Sequence, residues 1–339
     1  MKLALFFTHN VSLKFWKETG NLDREIKPYQ KLLNYFEKIY FLTYGQNESD
    51  IDEIKVLPIS IFRKELKDID IFKTNQLNGS WKAVIAKKIF KKKLIIRQGY
   101  QWSIFARKLK LPKWKILVID LIERFAYKNA DAIMTSSRAD IDYIIKKYKT
   151  HPWRVHYIPN YIDTELFSPD VLHREKHNQI ITVAKLEEQK NLKNLIKAVR
   201  GLDIKLVIIG KGSLKKKLKK IAPVNVEFIK SIPNNNLPKE LNKSKLFILS
   251  SLYEGCPKTL LEAMACDVPV IGTNVTGIKE IIRNGENGYL CETSAESIRE
   301  TIKKVLENKN PVSGRQTIID DFSLNKIVEK EINIYRALL

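Results

Sequence analysis

The sequence has little cysteine and no long apolar run among its 339 residues. Its three cysteines, Cys256, Cys266 and Cys291, are odd in number and form no CxxC pair, which favours reduced thiols in a cytoplasmic setting. No stretch reaches the roughly eighteen apolar residues of a membrane-spanning helix, so we expect none. The first apolar run ends before Thr8, which is too short for a signal peptide and predicts a buried strand.

The sequence also lacks the spacing of a metal site or a P-loop. Its five histidines show no ligand-like spacing with cysteines or carboxylates and stay unassigned: His9, His151, His156, His173 and His177. Asp-Ile-Asp occurs at 50–52, 68–70 and 140–142, a repetition that an Ile- and Asp-rich composition explains. No GxxxxGK[ST] motif is present. We therefore expect neither a metal ion nor a resident cofactor.

Acidic residues are absent from one long segment of a strongly basic chain. The net charge is +22, and residues 82–119 contain twelve Lys or Arg and no Asp or Glu. A solvated lysine face would explain this segment, and so would contact with an anionic membrane, nucleic acid or a phosphate-bearing substrate. Charge alone does not choose among them.

Short apolar runs alternate with amphipathic stretches, which predicts a parallel α/β architecture. In the first half we predict strands near 2–7, 38–44, 94–97 and 131–136, and helices near 22–36, 80–92, 115–128 and 138–148. In the second half we predict strands at 179–184, 204–209, 225–229, 245–249 and 268–271, and helices at 191–200, 213–221, 237–243 and 258–266. The segment 158–170 carries two prolines and marks a domain boundary. Two doubly wound domains would bind a ligand at the carboxyl ends of their strands.

Three segments of the second half carry residues suited to binding a phosphate or sugar. In "VIIGKGSLKKKL" (207–218) a strand ends in Gly210 and Gly212 before a helix, which allows close approach of a phosphate but also describes a plain turn. Lys185 and Lys190 follow another strand and could neutralise a diphosphate or be ordinary surface lysines.

The third segment is "YEGCPKTLLEAMA" (253–265). Here Glu254 precedes a Gly-Cys-Pro turn, and Glu262 lies in a helical run that is apolar nearly all round. Such a helix is normally buried, and a buried carboxylate without partners is costly. Glu262 therefore requires something to bind.

Together, "VAKLEEQKN" (183–191), "IIGKG" (208–212) and "SSLYEGCPKTLLEAMACDVPVIGTNVTGIKEII" (250–282) resemble the retaining, nucleotide-sugar-dependent glycosyltransferases of GT-B type, family 4. Glu254 and Glu262 match the E-x7-E element of that family. The resemblance is strong over 180–291, moderate over 130–170 and 320–339, and faint before 130.

The resemblance implies an α/β GT-B fold, in which two doubly wound Rossmann-like domains face a central cleft. Residues 1–165 would bind the acceptor, 166–320 the nucleotide sugar, and a helix at 321–339 would cross back to the first domain. Glu262 would accept hydrogen bonds from the ribose hydroxyls, and Glu254 would lie near the donor sugar. The expected catalytic residues are Glu254, Lys185 and Lys190, of which the lysines stabilise the departing diphosphate without a metal. The expected donor-binding residues are Gly20, Gly210, Gly212, Ser231, Gly255, Cys256, Pro257, Lys258, Thr259, Leu260 and Glu262.

The sequence departs from the family pattern at several positions. Lys185 replaces a more usual Arg, so a bidentate phosphate contact becomes a single ammonium. Tyr161 and Asp267 stand where glycines are common, and Thr276 replaces the first glycine of a pair. Many relatives have a His after the fourth strand, where this sequence has Arg97 and Gln98. A retaining mechanism with departure and attack on one face needs no enzyme nucleophile, so the absence of this His is compatible with activity.

The acid-free segment provides candidates for acceptor or membrane contact. Residues 97–115 read as a loop in which aromatic residues alternate with cations, which suits a membrane interface and also single-stranded nucleic acid. In the helix before it we expect Trp81, Val84, Ile85 and Ile89 to pack against the sheet. The candidate acceptor and membrane residues are Arg97, Gln98, Tyr100, Trp102, Lys108, Lys110, Lys113, Trp114 and Lys115.

These observations favour a cytoplasmic glycosyltransferase, peripheral to the inner face of the membrane, that builds a surface polysaccharide or glycolipid. Its partners would be a UDP- or GDP-linked sugar, a glycan or lipid-linked acceptor and an anionic membrane surface, without nucleic acid. A sugar-nucleotide epimerase of the same fold is the alternative enzyme. A nucleic-acid-binding protein would explain the charge but would leave the two glutamates without a role.

Overall fold

The computed structural model describes residues 1–170 and 177–339, so the unassigned His173 lies outside the described residues. The chain forms two compact units, one of residues 1–159 with 327–339 and one of residues 160–326. The predicted boundaries, after 165 and after 320, differ from these by a few residues. Each unit is built on its own parallel sheet, as the alternating pattern predicts.

The first unit is organised around a seven-stranded sheet in the order β3-β2-β1-β4-β5-β6-β7. Neighbouring strands are parallel throughout. The strands are β1 (Lys2–Phe6), β2 (Lys38–Thr43), β3 (Ile54–Pro58), β4 (Ile71–Thr74), β5 (Lys93–Gln98), β6 (Ala132–Thr135) and β7 (Val155–Tyr157). The helices are α1 (Leu13–Glu18), α2 (Leu22–Leu32), α3 (Ser80–Phe90), α4 (Trp102–Lys108), α5 (Lys113–Asn129) and α6 (Arg138–Tyr148).

The second unit has a six-stranded parallel sheet in the order β10-β9-β8-β11-β12-β13. Its strands are β8 (Gln179–Val183), β9 (Lys205–Ile209), β10 (Val226–Ile229), β11 (Leu246–Leu249), β12 (Val270–Thr273) and β13 (Tyr289–Cys291). Its helices are α7 (Leu192–Ala198), α8 (Lys215–Ile221), α9 (Leu237–Asn242), α10 (Lys258–Ala265), α11 (Thr276–Lys279), α12 (Ala295–Glu307) and α13 (Arg315–Asp321). Its two hydrophobic cores lie on the two faces of the sheet, which explains why β8, β9 and β11 are runs of apolar residues.

Two sequence-based expectations about the first unit are wrong. The predicted loop at 97–115 contains α4 and the first turn of α5. Helix α4 buries Ser103 and Ala106, and Trp102 at its start packs on the core. The predicted packing face of α3 is also displaced. Val84 is fully buried together with Ala83 and Ala86, whereas Ile85 and Ile89 are exposed.

A buried ion pair attaches the last helix, α14 (Leu324–Leu338), to the first unit. Lys73 of β4 lies 2.6 Å from the Glu331 carboxylate, and both side chains are almost completely buried. The Tyr335 hydroxyl donates a second hydrogen bond, of 2.8 Å, to the same carboxylate oxygen. Burial raises the pKa of Glu331, but the charges of Lys73 and Arg97 outweigh it and lower the pKa overall.

Glu331→Gln should destabilise the protein by about 3–5 kcal/mol, because it leaves the Lys73 ammonium buried without its counter-charge. Thermal unfolding at pH 7 measures this, with the exposed Glu329→Gln as the matched control. The pKa of Glu331 is lower in the folded protein than in the unfolded chain, where it is about 4.3. Glu331 therefore contributes its full stabilisation above the unfolded-state pKa, and this stabilisation is lost as the pH falls through the folded-state pKa. The difference from the parent protein should therefore narrow in acid. A constant difference between pH 7 and pH 3 would contradict this account.

Candidate functional site

The carboxyl edge of the six-stranded sheet carries the polar residues that the sequence singles out in the second unit. Lys185 and Lys190 follow β8, while Gly210 and Gly212 follow β9. Ser231 follows β10, Glu254 follows β11, and Glu262 lies in α10. Parallel strands end at one edge, so residues separated by more than sixty positions reach the same side of the sheet. Gly20 lies in the first unit, in the left-handed turn between α1 and α2.

Glu254 is held by two side chains of the second unit. Lys190 forms an ion pair with its carboxylate, and the Ser251 hydroxyl donates a hydrogen bond of 2.6 Å to the same Oε1 atom. The Glu254 side chain is only 9% exposed, so water screens the pair weakly. The sequence assigns Lys190 and Glu254 to separate positions around a ligand, and the structure shows that they contact each other directly. Ser251 is a positioning residue that the sequence analysis missed.

Hydrogen bonds to backbone carbonyls fix the two segments that carry Lys190 and Glu254. Leu252 donates its N–H to the carbonyl of Gln189 at 2.8 Å, and the Gln189 amide returns a 2.8 Å hydrogen bond to the carbonyl of Tyr253. Ser250 donates to the carbonyl of Lys190, also at 2.8 Å. The segments after β8 and β11 are therefore joined along their length, which holds the Lys190 ammonium and the Glu254 carboxylate in register.

Three glycines allow close approach of backbone segments around the site. A Cβ at Gly210 would lie 1.9 Å from the Ala184 carbonyl oxygen, and one at Gly212 would lie 2.4 Å from that of Leu186. A Cβ at Gly277 would lie 2.0 Å from the carbonyl oxygen of Gly255. Gly210 and Gly212 thus place one loop against the segment that carries Lys185, and Gly277 supports the turn after Glu254. Gly277 is a supporting residue that the sequence analysis did not include among its site residues.

The turn between β9 and α8 is fixed by a carboxylate. Glu187 accepts hydrogen bonds from the N–H of Ser213 at 2.8 Å and from its hydroxyl at 2.7 Å. These two bonds lower the pKa of Glu187, so it is ionised at neutral pH. Helix α8 begins at Lys215, two residues after the predicted start at Ser213.

Glu262 is 1% exposed and lies in α10, as expected from the apolar character of that helix. The side chains of Pro257 and Leu260 are also buried, so any contact of Leu260 with a ligand would involve its backbone. The N–H groups of Lys258, Thr259 and Leu260 lie in the first turn, where a helix provides no acceptors. This turn can therefore offer donors to an anion or a sugar.

Both ends of α10 are anchored to other segments of the second unit. The Asn160 amide donates a 2.6 Å hydrogen bond to the Cys256 carbonyl, next to the start of the helix. Arg315 of α13 donates to the carbonyl of Ala265 at its end and, at 3.1 Å, to that of Phe167. Asn160 lies in the segment 130–170, where the family resemblance is moderate, but sequence reasoning gave it no role because its partner lies 96 residues away.

The candidate acceptor residues of the first unit are divided between its interior and its surface. Gln98 is completely buried and accepts a hydrogen bond from the Tyr127 hydroxyl, so its predicted contact with an acceptor or membrane is wrong. Arg97 donates to the Ile158 carbonyl at 3.1 Å, and Trp102 is partly buried against the core. Burial lowers the pKa of Lys108. The exposed candidates are Tyr100, Lys108, Lys110, Lys113, Trp114 and Lys115.

Helix α5 exposes an apolar stripe that the sequence analysis missed. The stripe consists of Trp114, Leu117, Val118, Leu121 and Phe125, which recur at the spacing of one helical face. Lys115 and Lys88 place their ammonium groups 5.4 and 5.3 Å from the rings at its two ends. Reading 97–115 as a loop hid this periodicity, because the stripe begins inside that segment.

Two features are absent from the part of the chain that the structure describes. Within residues 1–170 and 177–339, no helix has the length and apolar character needed to cross a membrane. The same residues contain no group of three or more His, Cys, Asp or Glu side chains arranged to hold a metal ion.

Two family models together match residues 30–319 of the chain. "Glycosyl transferases group 1" matches residues 163–319, and "Glycosyltransferase Family 4" matches residues 30–166.

Similar curated proteins transfer sugars. A UDP-Gal:alpha-D-GlcNAc-diphosphoundecaprenol alpha-1,3-galactosyltransferase of Escherichia coli is 26% identical over 92% of this chain and 87% of its own length. An N-acetylgalactosamine-N,N'-diacetylbacillosaminyl-diphospho-undecaprenol 4-alpha-N-acetylgalactosaminyltransferase of Campylobacter jejuni is 30% identical over 57% of this chain and 55% of its own length.

Solved structures share the fold at low identity. Sucrose-phosphate synthase from Thermosynechococcus elongatus superposes with a TM-score of 0.79 at 15% identity, covering 100% of this chain and 99% of that one. Anabaena HepE in complex with UDP superposes with a TM-score of 0.78 at 14% identity, covering 100% of both chains. The chain therefore has the GT-B fold of two Rossmann-like domains.

Gly277→Ala should lower the melting temperature, because its Cβ would overlap the Glu254–Gly255 backbone and relief of such overpacking typically costs about 1–3 kcal/mol. Differential scanning calorimetry measures the change. Thr276→Ala is the matched control, since that neighbouring side chain is exposed and should be replaced at little cost. Equal melting temperatures for the two variants would show that the turn after Glu254 does not depend on this close approach.

Proposed function

The chain belongs to the glycosyltransferases of group 1 and family 4, and from this premise we propose that it transfers a sugar from a nucleotide sugar to a lipid-linked acceptor with retention of configuration. Glycosyl transfer is the activity of the family. The observation that carries the proposed donor chemistry is the collection of Lys185, Lys190, Glu254 and Glu262 at one edge of the second sheet. The UDP complex of the HepE structure supports a nucleotide-linked donor.

The proposed donor site assigns a separate task to each carboxylate. Glu262 accepts hydrogen bonds from the ribose hydroxyls, since an ionised carboxylate has acceptors at both oxygens. Glu254 contacts the donor sugar, and its ion pair with Lys190 fixes its orientation before the substrate arrives. Because Lys190 is engaged with Glu254, its help to the diphosphate comes from its remaining N–H donors.

Charge that develops on the departing diphosphate would be stabilised by lysine and backbone donors. Lys185 is exposed at the strand end, and the first turn of α10 supplies N–H groups. These donors perform the task that a divalent cation performs in metal-dependent transferases, so the proposal includes no metal. Gly210, Gly212 and Ser231 would line the nucleotide side of the same edge.

A lipid-linked acceptor agrees with the surface of the first unit. The Escherichia coli relative acts, by its name, on a sugar linked to diphosphoundecaprenol, which is a membrane lipid. The exposed apolar stripe of α5, with lysines beside its end rings, suits the boundary between headgroups and acyl chains. We therefore propose that α5 lies on an anionic cytoplasmic leaflet and brings the enzyme to its acceptor.

Glu262→Ala should weaken UDP or GDP binding about tenfold or more, since a charge-assisted hydrogen bond contributes about 1.5–3 kcal/mol. Calorimetry with each nucleotide measures the loss, and the exposed Glu300→Ala is the control. Glu254→Gln should keep its affinity for the nucleotide and lower the rate of sugar transfer. EDTA should leave the transfer rate of the parent protein unchanged, because the proposed site contains no metal. Unchanged affinity in folded Glu262→Ala would remove Glu262 from the ribose role. Nucleotide release without any acceptor would favour the epimerase alternative.

Vesicles that contain anionic lipid should bind the protein through both charge and apolar contact. Replacing Lys110, Lys113 and Lys115 with Ser should weaken binding about a hundredfold at low salt, at about 1 kcal/mol for each lysine. Leu117→Ser with Leu121→Ser should instead remove the binding that survives 1 M salt, where the Debye length is about 3 Å. Co-sedimentation measures both effects.

The matched control for the lysine variant replaces Lys216, Lys217 and Lys219 of α8 with Ser. It lowers the net charge of the protein by the same amount, but on the second unit. This control should bind vesicles like the parent protein. Equal losses for the two lysine variants would show that binding follows total charge and would overturn the role of α5.

A further inference from the structure

A cationic cavity lies at the amino edge of the first sheet, at the opposite ends of the strands from the candidate acceptor residues. It is formed where α3 and α5 end and where β5, β6 and β7 begin, with the last turns of α14 on one side. We call it the amino-edge pocket and define it by Lys87, Lys93, Lys128, Arg154 and His156. Along β5 the two edges are about 17 Å apart, at about 3.3 Å for each residue.

The volume of the pocket suits a small organic molecule. Its volume is about 600 Å³, which is within the usual range for small-molecule sites. One wall is apolar, formed by Ile334, Ala337 and Leu338 of α14. The indole of Trp153 lies at the rim, stacked on His151 with 4.2 Å between ring centroids. A ligand with an uncharged body as well as an ionic group would contact both kinds of wall.

The charge of the pocket is positive after its internal pairs are counted. Lys87 donates to Asp131 at 2.6 Å and to the Asn129 carbonyl at 2.7 Å, so Asp131 offsets one positive charge. Arg154 donates to the Tyr127 carbonyl at 3.0 Å and keeps its charge and its other N–H donors. The dipoles of α3, α5 and α14, whose carboxyl ends face the pocket, together contribute a charge of about −1.5. With the positive charges of Lys87, Lys93, Lys128 and Arg154 and the negative charge of Asp131, the net charge of the pocket is between about +1 and +2.

Two of these cations have no acidic partner among the residues that the structure describes. The side chains of Lys93 and Lys128 form neither a hydrogen bond nor an ion pair with the rest of the described chain, although both line the cavity. His156 is neutral at pH 7 because burial lowers its pKa, so it adds a hydrogen-bond donor without charge. Flexible lysines converging with an arginine on one concavity are typical of phosphate recognition.

We propose that the amino-edge pocket binds a phosphate group carried on a small organic body, through Lys93, Lys128 and Arg154. A phosphomonoester at −1.5 to −2, or a phosphodiester at −1, matches the charge of the pocket. The apolar wall of α14 and the Trp153 ring receive the organic part. The ligand is a phospholipid headgroup or a free organic phosphate, and these two share the chemistry that the pocket recognises. This site is separate from the donor site of the second unit and does not depend on its assignment.

Calorimetric titration with sn-glycerol 3-phosphate, with glycerol as the uncharged reference, tests the soluble source. The parent protein should bind the phosphate and not glycerol. Lys93→Ser with Lys128→Ser should weaken binding at least tenfold, and Arg154→Gln should do the same while the Gln amide can still donate to the Tyr127 carbonyl. Lys31→Ser with Lys67→Ser is the control, because it removes two exposed charges of the same unit that do not line the pocket.

Phosphatidylcholine vesicles with and without phosphatidic acid test the lipid source, with the same variants. Competition by glycerol 3-phosphate for phosphatidic acid-dependent binding would identify the pocket ligand as a headgroup. Soluble binding without competition would identify a free organic phosphate, and either result supports the proposal. It would be overturned if the folded parent protein bound neither probe, or if the pocket and control variants lost affinity equally.

Discussion

The burial of parallel strands on both faces is the constraint on which the rest of this structure depends. Side chains along β4, β6, β11 and β12 are buried throughout, so a polar group within a strand must find a partner in the interior. Lys73 is the clearest exception, and Glu331 of the last helix compensates its charge. The residues that we propose for the donor site therefore lie beyond the strand ends, at a carboxyl edge. The amino-edge pocket lies at the opposite kind of edge.

Close backbone contact converts one of these edges into an organised site. Gly210, Gly212 and Gly277 bring three loops nearer to their neighbours than any side chain would allow. The Lys190–Glu254 ion pair and the Ser251 hydrogen bond then orient one carboxylate with little help from water. Preorganisation of this kind is valuable in group transfer, because donors already in place need not reorient as charge develops. The unusual lysine at 185 is easier to understand in a site whose other charges are held so firmly.

The second unit could be predicted from the sequence far better than the first. Most of its strands are apolar runs, and the predicted strands at 179–184 and 204–209 agree closely with β8 and β9. Strand β13 and helices α11, α12 and α13 were not predicted. In the first unit, β3, β4 and β7 were missed. They are short and carry polar residues, namely Lys55, Lys73 and His156. Lys73 is fully buried because it pairs with Glu331, a partner 258 positions away in sequence. Likewise, Asn160 and Gly277 contact their partners only after folding.

The sequence by itself determined the parallel α/β class and the family, and it singled out Glu254 and Glu262 as candidate site residues. It could do so because periodicity and motif spacing are local properties of the chain. Tertiary structure alone decided which charges meet. It paired Lys190 with Glu254, buried Gln98 beneath Tyr127, and exposed the apolar stripe of α5. It also gathered Lys93, Lys128 and Arg154 around one cavity. The reason is that the effects of charge and apolar surface depend on distance and burial. Both are set by the strand order, which brings distant segments together and which no short stretch of sequence specifies.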